Sequence, residues 1–445
     1  MANFAKPSVP RFSVDVYQNE YLPEGGREVN AIVTVTATGG GTLGGGLGAV
    51  ASGGRPSAAV ALMVDCSGSM DYPPTKMRNA REATAAAVDT LRDGTHFAVI
   101  GGTHVATEVY PGGGHLAVAG PATREEAKQA LRRLTAGGGT AIGAWLRLAD
   151  RLLSSADVTL RHGILLTDGR NEHESPQDLR AALDACAGRF TCDARGVGTD
   201  WEVKEVTGIA SALLGTADIV ADPSGLAADF TRMMEAAMGK EVADVALRVW
   251  TPVGTDIRFV KQVAPAVEDL TARRTEAGPR AGDYPTGSWG DESRDYHLCV
   301  EVPPAGLGRE MLAARVSLVV PQADGTAQGL GAQGLVRAVW TDDMTASTAI
   351  SPQVAHYTGQ AELAQAIKQG LDLRKVGDFD GATAKLGRAV QLASASGNAD
   401  TAKLLSKVVD VVDAATGTVR LKTRVAEADE MTLETRSTKT VRVKK

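Results

Sequence analysis

The sequence predicts an α/β protein with β-rich flanks: a doubly wound, mostly parallel sheet inserted into a β-sandwich and followed by a C-terminal helical bundle. Three observations lead there. Apolar runs at Ala58 to Val64 and His162 to Thr167 are separated by helix-period segments, the pattern of buried strands alternating with helices. Segments of strand-like alternation lie both before and after that stretch. Beyond Gln353 the apolar spacing becomes helical.

Each element follows from local pattern. Phe12 to Tyr17 and Glu28 to Ala37 alternate and read as strands, with a turn at Pro23-Glu24-Gly25-Gly26 between them. Gly39 to Gly54 is rich in Gly, Ser and Ala and reads as a flexible connection. Lys76 to Leu91 places Met77, Ala80, Thr84, Ala87, Val88 and Leu91 on one helical face. His96 to Gly101 and His104 to Tyr110 read as strands, and Arg124 to Leu134 and Ile142 to Leu153 as helices. Pro176 to Ala187 is a helix with Pro in its first turn. Ala194 to Gly198, Glu202 to Leu214, Asp218 to Ala221 and Leu226 to Met238 complete the alternation, which implies helices on both faces of one sheet.

From Val242 strands return, at Val242 to Trp250, Asp256 to Val260, Tyr296 to Val302, Ala313 to Val320 and Gly334 to Trp340. Two strands before the α/β stretch are rarely stable alone, so the earlier and later strands are expected to form one sandwich. Gln353 to Thr416 is expected to hold three helices, the last at Leu404 to Val412. Gly377 to Ala382 resembles the turn of a tetratricopeptide hairpin, but a single unit is visible and a plain bundle is expected. The expected organisation is therefore N-terminal sandwich strands plus linker over 1–54, the α/β domain over 55–240, the rest of the sandwich over 241–345, the helical bundle over 346–416, and a flexible Thr-rich basic tail over 417–445.

A chain of 445 residues with 43% hydrophobic content can bury more than one core. The formal charge of -6 is small for this length and argues against a nucleic-acid role. Cys66, Cys186, Cys192 and Cys299 lack metal-ligand spacing and read as reduced, buried thiols. No stretch approaches the ~20 apolar residues that cross a bilayer, and the first residues lack a signal-peptide pattern. The expected location is the cytoplasm of a bacterium.

The chemistry is concentrated where the first apolar run ends. Asp65-Cys66-Ser67-Gly68-Ser69 presents one carboxylate and two hydroxyls, hard donors suited to Mg²⁺, Mn²⁺ or Ca²⁺. Three oxygens do not close an octahedral shell. Thr140, after Gly137-Gly138-Gly139, and Asp168, after the second apolar run, supply further donors if the carboxyl ends of the strands share one edge. Taken alone, the same hydroxyls could merely cap a turn and a helix.

These positions resemble the metal-ion-dependent adhesion site of von Willebrand factor type A domains. The resemblance rests on Asp65-x-Ser67-x-Ser69, Thr140 after a Gly run, and Asp168-Gly169, in the family's order, and covers roughly Pro56 to Lys240. It implies that Ser67, Ser69 and Thr140 contact the ion through their hydroxyls. It implies too that Asp65 and Asp168 act partly through water, and that an Asp or Glu of a protein partner completes the shell. Cys66 is expected to turn into the core.

No Gly-x-Ser-x-Gly elbow, Walker A lysine loop or HExxH motif is present, so the chain is expected not to be an enzyme. The scattered histidines His104 and His162 are expected to pack or cap, and Asn171-Glu172-His173-Glu174 to form an exposed rim. Two alternatives to a binding module stand: a hydrolase in which the same ion activates water, and a metal-independent scaffold. The tail carries Thr432, Thr435, Thr438 and Thr440 near Arg436, Lys439, Arg442, Lys444 and Lys445. A phosphothreonine there would suit a kinase, a phosphatase or a forkhead-associated partner.

Overall fold

The computed structural model describes residues 10–38, 57–322 and 324–443. The expected linker at Gly39 to Gly54 lies outside the described residues, as do Lys444 and Lys445. The described chain divides into two compact units. One holds 57–243 and Gly287–Gly290; the other holds 10–38, 244–286 and the residues from Asp291 onward.

The first unit is built on a 7-stranded sheet. Ala58–Asp65 lies at its centre, and every residue of that strand is buried, as its unbroken apolar run requires. It pairs in parallel with His96–Gly102 on one side and with Leu160–Thr167 on the other. Thr191–Val197 and Ala217–Val220 extend the sheet in parallel, and Ala106–Tyr110 runs antiparallel at the opposite edge. Thr75–Thr90 and Leu226–Met238 cover one face, where Met77, Ala80, Phe230 and Met234 pack with Val60, Leu62 and Val64. Ile142–Ser154 lies on the other, with Trp145 fully buried beside Gly102. Pro176–Cys186 starts at a capping box, in which Ser175 Oγ accepts from the Asp178 N–H (3.1 Å) and Asp178 accepts from the Ser175 N–H (3.3 Å).

In the second unit Glu28–Thr38 pairs antiparallel with Arg11–Gln18 and with Glu292–Glu301. Segments that flank the α/β unit in sequence thus share one sheet, and the α/β unit is an insertion. That sheet has five strands, and a 6-stranded sheet built around Val242–Trp250, Glu310–Pro321 and Ala327–Trp340 completes the β-rich part. Ile32 packs with Val263, Ala264 and, from helix Pro352–Lys375, Val354 and Tyr357. The C-terminal helices therefore belong to the same compact unit as the sheets, whereas the sequence suggested a bundle of their own.

Three further expectations are corrected. The last helix stops at Val408, and Val409–Asp413 forms a hairpin with Thr418–Leu421, because Val408, Val409, Val411 and Val412 favour a pleated backbone. Ala281–Trp289 is a strand that its Gly, Pro, Asp and Ser content disguised. The residues from 417 are not a free tail: Glu427–Arg436 is a helix with Leu433 buried in the helical core. The chain beyond it is pinned on the sheet. Val267 N–H donates to Thr438 O (2.8 Å), Thr440 Oγ1 donates to Val263 O (2.6 Å), and Arg442 Nε donates to Asp295 Oδ2 (2.9 Å). Asp295 is 2% exposed and also takes the hydroxyls of Thr34 and Tyr357.

One buried histidine gives this unit an acid sensitivity. His297 Nε2 lies 2.9 Å from Asn30 Oδ1 and its ring meets Phe259 edge-on. Burial, aided by the charge of Lys261, pushes its pKa down to about 4. The folded protein then binds fewer protons than the unfolded chain, so stability is intact above the unfolded imidazole pKa and falls as the pH drops from there toward 4. The expected loss is about 3 kcal/mol across that window. Urea unfolding at pH 7.5 and 4.5 should register it, and His297→Gln should flatten the difference; an unchanged difference in the variant would assign the acid sensitivity elsewhere.

Candidate metal site at the carboxyl edge of the sheet

The register of the central strands brings the site together. Val64 stands opposite Leu166 and Asp65 opposite Gly102, so the turns after all three strands leave the sheet at one edge. Backbone bonds then tie the Gly-rich loop to the Asp65 turn. Gly137 N–H donates to Cys66 O (2.8 Å), Gly68 N–H to Gly138 O (2.9 Å), and Cys66 N–H to Gly102 O (2.7 Å). Gly138 takes φ 79, a conformation that strongly favours glycine and lets the loop turn back on the sheet edge.

The donor set forms a connected cup. Asp65 is fully buried; its Oδ1 accepts from the Ser67 N–H (2.8 Å) and its Oδ2 from Thr167 Oγ1 (2.7 Å). Ser67 Oγ and Ser69 Oγ lie 2.9 Å apart, and Ser69 Oγ donates to Asp168 Oδ1 (2.6 Å). Thr140 comes in from the Gly loop. A β-carbon placed on Gly169 would stand 3.1 Å from Ser69 Oγ, 3.6 Å from Thr140 Oγ1 and 3.8 Å from Ser67 Oγ. Three hydroxyl oxygens thus face one small space that only a missing side chain leaves open, with two carboxylates behind them. Asp65, Ser67, Ser69, Thr140 and Asp168 are all brought together. The donors are oxygen throughout, which fits a hard divalent cation.

Burial pushes the Asp65 carboxyl up to about 6, opposed by its bonds from Ser67 and Thr167 and reinforced by the nearby Asp168 charge. Cys66 is 4% exposed in the core, and burial pushes its thiol up to about 12, so it is packing and not a ligand.

The sequence reading missed three supports. Lys76 Nζ reaches Asp168 Oδ2 (2.7 Å) and the exposed Asp200 (3.3 Å). Burial disfavours this ammonium, but the bonds and charges of Asp168 and Asp200 outweigh it and hold the pKa above the usual lysine value. Thr167 anchors Asp65. Asn171, buried, accepts from the Ile142 N–H through Oδ1 (2.8 Å), while Glu174 accepts from the Gly143 N–H (2.7 Å). Expected as an exposed rim, this pair instead caps the helix that follows Thr140 and so fixes the hydroxyl. Asp/Asn and Glu near a helix start are a readable cap signal, but here they come from a different segment, which sequence spacing does not reveal. His104 and His173 flank the Gly loop: Thr140 N–H donates to His173 Nδ1 (3.2 Å) and Gly139 N–H to His104 Nδ1 (3.5 Å). His162 bridges Thr191 and Asp193.

Fold and site together define a doubly wound α/β domain with an oxygen-lined cup at the carboxyl edge of its sheet. The family model described as von Willebrand factor type A domain matches residues 58–219, and a von Willebrand factor type A C-terminal domain model matches 391–437. A solved von Willebrand factor type A structure from Catenulispora acidiphila is 52% identical over 98% of both chains, with a TM-score of 0.90. This chain belongs to the von Willebrand factor type A family, whose domains commonly mediate protein interactions. The ArnB paralog VWA2 from Sulfolobus acidocaldarius shares the fold at 14% identity and a TM-score of 0.60, over 96% of this chain and 98% of that one. The human COPII-coat protein Sec24c shares it at 10% identity and 0.53, over 87% of this chain and 58% of that one. No curated protein matches the chain in sequence. Among the described residues, no helix is long and apolar enough to cross a membrane.

Proposed function

We propose that this chain is a metal-dependent protein-interaction module and an adaptor in a cytoplasmic bacterial assembly. Asp65, Ser67, Ser69, Thr140 and Asp168 would hold Mg²⁺, or Mn²⁺ or Ca²⁺ in its place, and a partner's Asp or Glu would complete the shell. The observation that supports this best is the convergence of three hydroxyl oxygens on Gly169 at the carboxyl edge of the sheet. The bound ion supplies an open coordination position, and the chain's own residues orient it. A partner carboxylate entering there exchanges a water for a charge-assisted bond to the ion.

Hydrolysis by the same ion would need a general base beside it. Asp65 is engaged by Ser67 and Thr167, and Asp168 by Ser69 and, before an ion enters, by Lys76, so both carboxylates are occupied in orienting the cup. The binding reading is therefore preferred over the enzyme.

Affinity purification from the source cells in Mg²⁺ and in EDTA tests it. Partner capture is expected in Mg²⁺ alone, and Asp65→Ala and Thr140→Ala are expected to abolish it without unfolding the chain. Identical captures with and without chelator would overturn the reading. Turnover of phosphoesters that vanishes in Asp65→Ala would favour the hydrolase.

A phosphothreonine route to a forkhead-associated, kinase or phosphatase partner narrows to one residue. Thr435 is buried, and the Thr432 and Thr440 hydroxyls are bonded to Ala428 O and Val263 O, while Thr438 is exposed. Mass spectrometry of protein from native cells that finds Thr438 unmodified in every condition would remove this route.

A further inference from the structure

We propose that Lys76 is a built-in counter-ion of the cup: its ammonium holds Asp168 in place before the ion arrives, competes with the ion for that carboxylate, and gives way when the ion enters. The proposal rests on the metal-dependent reading above.

Three observations carry it. The first is placement. Lys76 lies in the first turn of helix Thr75–Thr90, a turn with no acidic residue, where the helix dipole already disfavours a cation. A lysine side chain 8% exposed at that end needs an anion, and the anion it has is a cup residue. The second is the division of Asp168. Its Oδ1 takes the Ser69 hydroxyl at 2.6 Å and its Oδ2 takes Lys76 Nζ at 2.7 Å, so Ser67, Ser69, Asp168 and Lys76 form one continuous chain of hydrogen bonds. The cup is therefore preorganised by a cation from within the chain. The third is that Lys76 has a second place to go. Asp200 lies 3.3 Å from Nζ on the solvent side and is 70% exposed, so the ammonium can lean outward onto it without being left unpaired.

The charge count gives the role a direction. Asp65, Asp168 and Lys76 sum to one negative charge. A divalent ion takes the sum to one positive charge, whereas without Lys76 the loaded cup would be neutral. Lys76 thus opposes ion entry by like-charge repulsion, which its retreat onto Asp200 relieves. A residue that merely kept the site folded would do the reverse on removal, since loss of order weakens ion binding.

Direct Mn²⁺ titration of the full chain, followed by the electron paramagnetic resonance of free Mn²⁺, separates these cases. Lys76→Met keeps an unbranched apolar stem and removes the charge. It is expected to bind Mn²⁺ about tenfold more tightly than the wild type, to melt at a lower temperature without metal, and to show a larger Mn²⁺-induced rise in melting temperature. Lys76→Arg should stay near the wild type. Weaker or unchanged Mn²⁺ affinity in Lys76→Met would overturn the counter-ion role. The absence of Mn²⁺ binding by both the wild type and Lys76→Met would overturn the metal reading itself. Should Lys76→Met fail to fold, the wild type carries the test. Acetylation of Lys76 followed by mass spectrometry should accelerate on adding Mn²⁺, because Nζ leaves Asp168 for the solvent side. An unchanged or slower rate would overturn the proposal.

Discussion

Asp65→Asn is expected to melt above the wild type in chelator at pH 7.5 and to lose the stabilisation that Mg²⁺ gives the wild type. Both effects come from one carboxylate. Burial pushes its pKa up to about 6, so at pH 7.5 the metal-free fold holds a buried charge that the unfolded chain would solvate. The sign is the reverse of a salt-bridged acid. An acid whose folded pKa is raised penalises the fold above that pKa, and the penalty is relieved as the pH falls from about 6 through the ordinary carboxyl value. The penalty is at most about 3 kcal/mol. Asn keeps the acceptor for the Ser67 N–H and removes the charge, while a divalent ion repays the charge in the wild type and has nothing to repay in the variant. Differential scanning calorimetry at pH 7.5 and 5.0, with EDTA and with Mg²⁺, reads all four states. A variant that is less stable in EDTA and still responds to Mg²⁺ would show that Asp65 is structural. The opposing pH trend of His297 cancels in the difference between variant and wild type.

Gly169→Ala is expected to lower Mg²⁺ and Mn²⁺ affinity by about a hundredfold or more without removing any ligand. The added methyl would stand against Ser69 Oγ, Thr140 Oγ1 and Ser67 Oγ at 3.1, 3.6 and 3.8 Å. Those distances are ordinary or slightly tight for carbon, so the fold tolerates the methyl, but the space shared by the three oxygens is filled. The loss corresponds to about 3 kcal/mol of binding free energy. Gly208→Ala is the control: it sits exposed on helix Val203–Ala212, with open space where the methyl would go, and should leave ion binding unchanged while stabilising the helix slightly. Ion binding by Gly169→Ala equal to that of the wild type would place the cation somewhere other than this cup.

Much of the cup was legible because its residues lie where continuous apolar runs end. Asp65 and Asp168 each follow a strand buried on both faces, and such strands announce themselves in sequence. Thr140 was legible through its Gly run. The supports were not, because each acts across the fold. Lys76 marked only the start of a helical segment, and its partner, 92 residues on, explains it. The absence of an acid in that first turn was the available signal. Asn171 read as loop for the same reason, since the helix it caps begins 29 residues earlier. The β-rich unit was legible in outline, yet Ala281–Trp289 was hidden by Gly287 and Pro285, whose local preference the sheet overrides. The segment after residue 417 was misread by composition. Its charges looked solvated, but Arg442 is spent on Asp295 and Leu433 on the core.

The insertion sets an order of events during synthesis. Thr34 and Asp295 share a hydrogen bond although they are 261 residues apart, so the strands that precede the α/β insert must wait for the whole of it to emerge before they find their neighbour. The insert has nearly all its own strands in one run and can close as it appears. An early hairpin with an unpaired edge is exposed meanwhile. Arg442, which reaches Asp295 last, fastens that sheet like a clasp, and a nascent chain stalled before it would leave the buried Asp295 without its guanidinium.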